Sequence, residues 1–374
     1  MTYIIGEIGQ NHNGSVDLCK LLVDVAARPV KDNLFGNDLR QMDAVKLTKR
    51  DLSQELSSTQ MNSVYNSSHS FGKTYGEHRS FLELNDEQHF EVYKYAKEKG
   101  LEFVETLCAI GCLSMLKLFT PDKLKVASRD LTNLPLLSAL GETNIPIILS
   151  TGMAGEKELN IALETINKFH NNISILHCVS EYPTKYENVN LKTITYLKKQ
   201  YPQYPIGYSD HTIGISTPIA AVAMGAEIIE KHITLDRNMK GTDQKGSLAI
   251  DGIYRMIRDI RNLDISLGEE KIEIVDSVSI AKKKLERSIA TNKSLKKGYK
   301  IKEEDIHLLS PGDGVKWMDK DEILGKTLLN DLPKDEVIYL NNINALTNLK
   351  KYDFELTNTF MFYPLIKKIT HVMF

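Results

Sequence analysis

The sequence predicts an α/β protein in which a (β/α)₈ barrel is followed by a small, mostly β domain. Eight short apolar segments alternate with amphipathic helical stretches over roughly the first 265 residues, the usual size of such a barrel. No GxGxxG motif follows the first segment, which disfavours a doubly wound open sheet. The helical periodicity then ends near residue 268, where a second domain is expected.

The eight predicted strands are short and rich in β-branched residues, as expected of parallel strands buried on both faces. They lie at 2–8, 43–49, 101–107, 123–128, 145–151, 173–179, 204–209 and 226–233. Amphipathic helices are predicted between them, for example at 85–100 and 156–170. The polar and aromatic insertion at 50–84 is predicted to form a loop over the barrel rim.

Four regions are predicted along the chain. Residues 1–268 form the barrel domain, 269–286 form a charged linker, and 287–344 form a turn-rich β domain. The aromatic and apolar tail at 345–374 has no functional interpretation.

Composition indicates an ordinary soluble globular protein, with 374 residues, 42% hydrophobic residues and a net charge of −2. This charge gives no reason to expect nucleic acid or a membrane surface as a partner. No apolar run approaches the ~20 residues of a membrane span, and no signal peptide is evident, so a cytoplasmic location is expected. The four cysteines have no CxxC spacing and are expected to be reduced thiols.

Polar side chains follow the predicted strands at their carboxyl ends, where barrels of this kind carry their active sites. His211 and His232 end two consecutive strands, which lie ~4.8 Å apart in a sheet, so both imidazoles could bind one metal ion. Lys46 and Lys125 lie within apolar strands, where an anion would offset their desolvation. This predicts a small phosphorylated acid as substrate. The alternatives are satisfied structural histidines and lysines paired with Glu7 or Asp130 in a structural network.

Several motifs together resemble the sialic acid synthase family over residues 1–344. They are GEIGQNHNG (6–14), FGKTYGEHR (71–79), ILSTGM (148–153), HCVSEYP (177–183), IGYSDHTIGI (206–215) and EKHITLD (230–236). The resemblance implies condensation of phosphoenolpyruvate with an N-acylated hexosamine, giving a nonulosonic acid and phosphate. The acceptor would be N-acetylmannosamine, its 6-phosphate or a bacterial analogue. The small domain resembles the family's antifreeze-like (SAF) domain, which in relatives caps the partner's barrel; the resemblance therefore implies a domain-swapped homodimer.

The resemblance also implies roles for individual residues. His211 and His232 would hold a divalent metal, manganese first and magnesium or cobalt as alternatives. The residues implied to bind phosphoenolpyruvate are Lys46, Thr106, Lys125, Ser128, Ser150, Ser180 and Ser209. Those implied to line the sugar end or to transfer protons are Glu7, Asp130, Tyr182 and Asp243.

The chain departs from the family pattern at several positions that mostly concern the sugar end, one of them at Leu107 and Cys108. Thr48 replaces a glutamine, Arg129 a glycine, Gln244 a histidine and Ser310 an arginine. Two other interpretations therefore stay open: a metal-dependent barrel hydrolase, and a non-catalytic carbohydrate-binding relative.

Overall fold

The computed structural model describes residues 1–32 and 36–343, and the predicted tail at 345–374 lies outside this part of the chain. The chain divides into two compact units, one at Met1–Glu269 and a second that begins at Glu270. Each unit has its own hydrophobic core.

Twelve strands occur in the described residues, and eight of them close into a parallel barrel. In chain order they are β1 Tyr3–Gly9, β2 Val30–Lys31, β3 Asp38–Arg40, β4 Ala44–Lys49, β5 Glu102–Leu107, β6 Lys123–Val126, β7 Ile147–Ser150, β8 Ile173–Cys178, β9 Ile206–Asp210, β10 Ile228–His232, β11 Ser288–Thr291 and β12 Ile306–Leu309. The barrel order is β1, β4, β5, β6, β7, β8, β9, β10 and back to β1. This confirms the predicted (β/α)₈ barrel, and each predicted strand overlaps one that is observed.

Helices connect most of the barrel strands. The α-helices are α1 Val16–Ala26, α2 Leu52–Glu55, α3 Ser58–Met61, α4 Tyr75–Leu82, α5 Asp86–Glu98, α6 Leu134–Glu142, α7 Glu156–Ile166, α8 Tyr186–Val189, α9 Lys192–Gln200, α10 Ser216–Ala223, α11 Ile250–Ser266 and α12 Ser279–Leu285. Short 3₁₀-helices lie at Ile110–Lys117, Ser128–Asp130, Gln244–Gly246, Asp276–Val278, Glu303–Asp305, Trp317–Glu322 and Leu340–Asn342.

The rim insertion at 50–84 is more ordered than the predicted loop, because it contains α2, α3 and α4. The side chain of Thr74 accepts a hydrogen bond from the backbone N–H of Glu77, and the Glu77 carboxylate accepts one from the backbone N–H of Thr74. This reciprocal capping satisfies two donors that would otherwise be unpaired at a helix start. The prediction missed it because the insertion as a whole is polar and lacks a long apolar period.

The interior of the barrel is layered, because successive side chains of a strand point to opposite faces of the sheet. Aliphatic side chains fill its middle and form a separate buried cluster of Ile5, Ala44, Val104, Ile148, Leu176 and Ile228. Two residues further along the same strands, the inward positions become polar, as at Glu7, Lys46 and Glu230. The polar layer lies above the apolar layer, towards the carboxyl ends of the strands, and this position is where the candidate site is found.

The second unit has little regular structure. Strands β11 and β12 pair in antiparallel fashion, and isolated bridges such as Leu295–Leu332 add to them. Helix α12 lies within the predicted linker. Within the described part of the chain, no helix is long and apolar enough to cross a membrane.

Candidate functional site

A cavity of about 550 Å³ opens at the carboxyl ends of the barrel strands. Twelve of the thirteen predicted site residues line it: Glu7, Lys46, Thr106, Lys125, Ser128, Ser150, Ser180, Tyr182, Ser209, His211, His232 and Asp243. Asp130 is the exception. Its carboxylate accepts a hydrogen bond from Arg129 Nε at 3.2 Å, and of these two residues Arg129 lines the cavity and Asp130 does not. Asp130 thus lies outside the cavity lining, and its role at the sugar end stays a prediction.

Two buried lysines lie on the floor of the cavity, each beside a buried carboxylate. Lys46 Nζ is 2.5 Å from Glu7 Oε2, and Lys125 Nζ donates to both oxygens of Glu230 at 3.0 and 2.9 Å. Glu230 also accepts a hydrogen bond from Ser209 at 3.0 Å and lies 3.8 Å from Lys46 Nζ. The lysines thus belong to a network of alternating charge that contains Glu7, one of the two carboxylates considered for such a network, and Glu230.

The two carboxylates of this network differ in acidity. Burial disfavours the charged form of Glu230, but Lys125 and Lys46 outweigh it and hold its pKa at about 2. For Glu7, burial outweighs the attraction of Lys46 and raises the pKa to about 7. Glu230 is therefore a fixed anion that orients the lysines, whereas Glu7 can exchange a proton near neutral pH.

Hydroxyl and thiol groups converge where strands β7 and β8 end. The backbone N–H of Gly152 donates to Ser128 Oγ at 3.0 Å. A Cβ atom at Gly152 would lie 2.5 Å from Ser180 Oγ and 2.9 Å from Cys178 Sγ, so this close approach requires glycine. Ser150 Oγ is buried and has no hydrogen-bond partner among the described residues. These groups line the same cavity as the two lysines, and the unpaired hydroxyl of Ser150 is available to an oxyanion.

The two predicted metal ligands are neighbours in the structure. The ring centroids of His211 and His232 are 5.4 Å apart, and Tyr182 packs on His211 with its ring 4.1 Å away. His211 Nδ1 lies 2.9 Å from the carbonyl oxygen of Val179, which fixes this nitrogen as the donor and leaves Nε2 with a free lone pair. His232 Nδ1 is buried without a hydrogen bond, 4.0 Å from Asp243 Oδ2.

A buried ion pair holds the backbone on which both histidines lie. Lys231 Nζ is 2.6 Å from Asp210 Oδ2, and both side chains are inaccessible to solvent. Asp210 also accepts hydrogen bonds from Thr212 N at 2.9 Å and Tyr208 Oη at 2.9 Å. Each histidine directly follows a member of this pair in the sequence, so the pair restricts both imidazoles.

His211 and His232 together fit a metal ion that takes two nitrogen ligands from the protein. No group of three or more His, Cys, Asp or Glu side chains in residues 1–32 and 36–343 is arranged to hold a metal. The buried unpaired Nδ1 of His232 and the oriented Nε2 of His211 are nevertheless nitrogen donors of the type preferred by first-row divalent metals. Such an ion would keep most of its coordination positions for water and substrate.

The outer wall of the cavity comes from the rim insertion, whose contribution no strand-end pattern predicts. Tyr65, Tyr75, His78 and Arg79 all line the cavity, and Arg50 joins them from the end of β4. Arg129 lines it as well, and Arg50 and Arg129 share the carboxylate of Glu55 at 3.0 Å each.

Glu230 is the most important residue that the sequence analysis missed. It lies two residues before His232 in β10, and residues at that spacing face the same side of a strand. That spacing could have identified it. The same rule places His177 on the outer face, where its Nε2 bonds to the carbonyl oxygen of Val189 at 2.7 Å.

The departures from the family pattern have distinct places. Thr48 and Arg129 line the cavity. Gln244 is buried outside it, where its Nε2 donates to the carbonyl oxygen of Asn11 at 3.2 Å. In the second unit, Ser310 Oγ donates to the carbonyl oxygen of Leu285 at 3.0 Å.

Comparison with known proteins gives two family matches. A sequence profile of the NeuB family matches residues 39–272, and a profile of the SAF domain matches residues 286–344.

Three similar proteins cover most of the chain. N,N'-diacetyllegionaminic acid synthase of Legionella pneumophila is 32% identical over 348 residues, 92% of this chain and 95% of that protein. N-acetylneuraminate-9-phosphate synthase of Homo sapiens is 31% identical over 338 residues, 90% of this chain and 91% of that protein. The crystal structure of the N-acetylneuraminic acid synthetase of Leptospira borgpetersenii, in complex with citrate, superposes with a TM-score of 0.61 at 31% identity. That likeness covers 75% of this chain and 90% of the other.

Proposed function

Because the chain belongs to the NeuB family and carries a SAF domain, we propose that it is a nonulosonic acid synthase that condenses phosphoenolpyruvate with an N-acylated hexosamine. Its relatives are named as sialic, legionaminic and pseudaminic acid synthases. The observation that carries the proposal is the cavity itself, in which two buried lysines with neighbouring hydroxyls lie beside two adjacent imidazoles. The lysines suit the anionic groups of one substrate, and the imidazoles suit a metal at the carbonyl of the other.

In the proposed reaction, C3 of phosphoenolpyruvate forms a bond to the aldehyde carbon of the open-chain sugar. Water adds at C2, the bond between C2 and the phosphate oxygen breaks, and inorganic phosphate leaves. Lys46 and Lys125 bind the phosphate and carboxylate oxygens, assisted by the hydroxyls of Thr106, Ser128, Ser150, Ser180 and Ser209. Glu230 holds the lysines in place, since it is bonded to Lys125 and lies near Lys46.

Protons are the second requirement of this reaction, because the former aldehyde oxygen gains one and the attacking water loses one. Glu7 is the best candidate on the cavity floor, since its pKa of about 7 lets it accept or donate at neutral pH. Tyr182 and Asp243 lie beside the two histidines and would contact the sugar.

His211 and His232 would hold the divalent cation, for which we propose manganese, with magnesium or cobalt as substitutes. When bound, such an ion supplies Lewis acidity at the aldehyde oxygen, where negative charge develops. The protein contributes the orientation of the two rings, fixed by the Val179 carbonyl on one side and the Asp210–Lys231 pair below.

We further propose a homodimer in which the SAF domain covers the barrel of the partner subunit, as the family resemblance implies. The separate hydrophobic core of the second unit supports an independently folded cap. A cytoplasmic location stays a prediction.

The test is a product analysis by mass spectrometry with phosphoenolpyruvate, manganese and a panel of acceptors. The panel contains N-acetylmannosamine, its 6-phosphate and a di-N-acylated analogue, and phosphate release is measured in parallel. We expect a product whose mass equals phosphoenolpyruvate plus acceptor plus water minus phosphoric acid. Release of a sugar fragment without phosphoenolpyruvate would support the hydrolase instead, and sugar binding without any product would support the non-catalytic relative.

A further inference from the structure

One arginine in the cavity wall has a fixed position and no carboxylate partner. Arg79 lies in α4, and its Nε donates a hydrogen bond to Tyr75 Oη at 2.9 Å. The guanidinium carbon is 5.1 Å from the centre of the Tyr75 ring, and that ring packs edge-on against Tyr65 at 5.5 Å. The aromatic contacts therefore orient the guanidinium and leave both Nη atoms free of protein partners among the described residues.

The other cations of the cavity already have partners. Lys46 and Lys125 pair with Glu7 and Glu230. Arg50 and Arg129 share Glu55, and they also pair with Glu83 and Asp130 respectively. Among the described residues that line the cavity, Arg79 is thus the cation without a carboxylate at ion-pair distance. A half-buried guanidinium with two free Nη groups presents the planar fork that binds phosphate or carboxylate oxygens in pairs.

The position of Arg79 indicates which substrate it serves. The residues proposed for phosphoenolpyruvate lie on the barrel strands and the turns that follow them, whereas Arg79 lies on a helix of the rim insertion. Its neighbour His78 also lines the cavity, as does Asp243, which lies beside His232. Arg79 therefore belongs to the outer wall of the cavity, away from the strand residues proposed for phosphoenolpyruvate, and the end of an acceptor that points away from the imidazoles would reach this wall.

We propose that Arg79 binds an anionic substituent, a phosphate or a carboxylate, carried by the acceptor hexosamine at the end remote from its aldehyde. The physiological acceptor is then a charged sugar and not a neutral one. This inference rests on the proposed synthase activity and specifies its acceptor, which the names of the relatives leave open because only some of those names include a phosphate.

The experiment compares three acceptors with the full-length protein, phosphoenolpyruvate and manganese. N-acetylmannosamine is neutral, its 6-phosphate carries a phosphate, and N-acetylmannosaminuronic acid carries a carboxylate at the same carbon. We expect one of the two anionic acceptors to have the highest kcat/KM, which identifies the charged group. In Arg79→Met the KM for that acceptor should rise about 10- to 100-fold, the effect of losing a charged hydrogen bond.

Two further variants separate a specific contact from a general change of charge. Arg79→Lys keeps the charge but loses the planar fork, so its KM for the anionic acceptor should lie between those of wild type and Arg79→Met. Lys73→Met removes an exposed cation from the same insertion, outside the cavity lining, and should change no kinetic constant. Turnover of the neutral sugar by Arg79→Met reports that the variant is folded.

The possible failures are distinguishable. If Arg79→Met weakens the neutral and anionic acceptors equally, or raises the KM for phosphoenolpyruvate instead, the acceptor subsite is wrong while the synthase activity stands. If the wild type prefers the neutral sugar, the proposed anion subsite for the acceptor is likewise wrong, while the synthase activity stands. If wild type converts none of the three sugars and consumes no phosphoenolpyruvate, the proposed function itself fails.

Discussion

Replacing Lys125 by methionine tests the anion site at the more buried of its two lysines. Lys125 Nζ has three donor hydrogens, and Glu230 accepts from it at both oxygens, at 3.0 and 2.9 Å. At least one donor therefore remains for a substrate oxygen. A hydrogen bond to a charged group contributes about 1.5–3 kcal/mol, so Lys125→Met should weaken phosphoenolpyruvate binding about 10- to 150-fold.

The same substitution should also lower stability, since it leaves Glu230 buried with only Ser209 at 3.0 Å and Lys46 at 3.8 Å. Removing one partner of a buried ion pair costs about 3–5 kcal/mol. The additional change Glu230→Gln removes the stranded charge, so the double variant should recover stability without recovering affinity. Calorimetric titration with phosphoenolpyruvate and urea unfolding measure the two quantities separately.

Lys123 provides a matched control on the same strand and the same face. It lies two residues before Lys125, at the opposite end of the barrel, where it pairs with Glu102. Lys123→Met should leave the affinity for phosphoenolpyruvate unchanged. The reasoning is refuted if folded Lys125→Met binds phosphoenolpyruvate like wild type, or if Lys123→Met weakens binding equally.

Three further predictions concern the metal, the pH dependence of stability and the second unit. Turnover should be abolished by His211→Ala, by His232→Ala or by dialysis against a chelator, without a change in the circular dichroism spectrum. Manganese should restore the turnover of the dialysed protein. Full turnover without metal would contradict the proposed metal site. Burial, aided by the nearby His89, lowers the pKa of His12 to about 4, so the neutral ring stabilises the fold above pH 6.5. That contribution, up to about 3 kcal/mol, should be lost as pH falls from 6.5 towards 4. In urea unfolding, the difference in unfolding free energy between wild type and His12→Gln should therefore shrink over this range. A difference that stays constant with pH would be evidence against the assignment. A chain that stops at residue 275 should fold and bind phosphoenolpyruvate but lose most turnover. The proposed cap would be ruled out if this truncated chain had wild-type kinetics. It would also be ruled out if the full-length protein sedimented as an active monomer.

The sequence by itself determined the barrel and most of its cavity floor. Buried parallel strands must be apolar and short, so their pattern marks all eight of them, and the chemistry of a barrel must lie where those strands end. Alternation along a strand then places Lys46, Lys125 and His232 inward. The family motifs added Ser180, Tyr182 and Asp243, which also line the cavity.

Only the tertiary structure decided how the charges are paired and what forms the outer wall. Lys125 and Glu230 are 105 residues apart, and Arg129 and Glu55 are 74 apart. No local pattern encodes such pairs, because they depend on which strands and loops meet when the barrel closes. The fold also leaves Asp130 outside the cavity lining, where its carboxylate accepts a hydrogen bond from the neighbouring Arg129. Arg79 lies in an insertion whose composition predicts only a polar loop, and it is the packing of Tyr65 and Tyr75 that directs its guanidinium to the cavity.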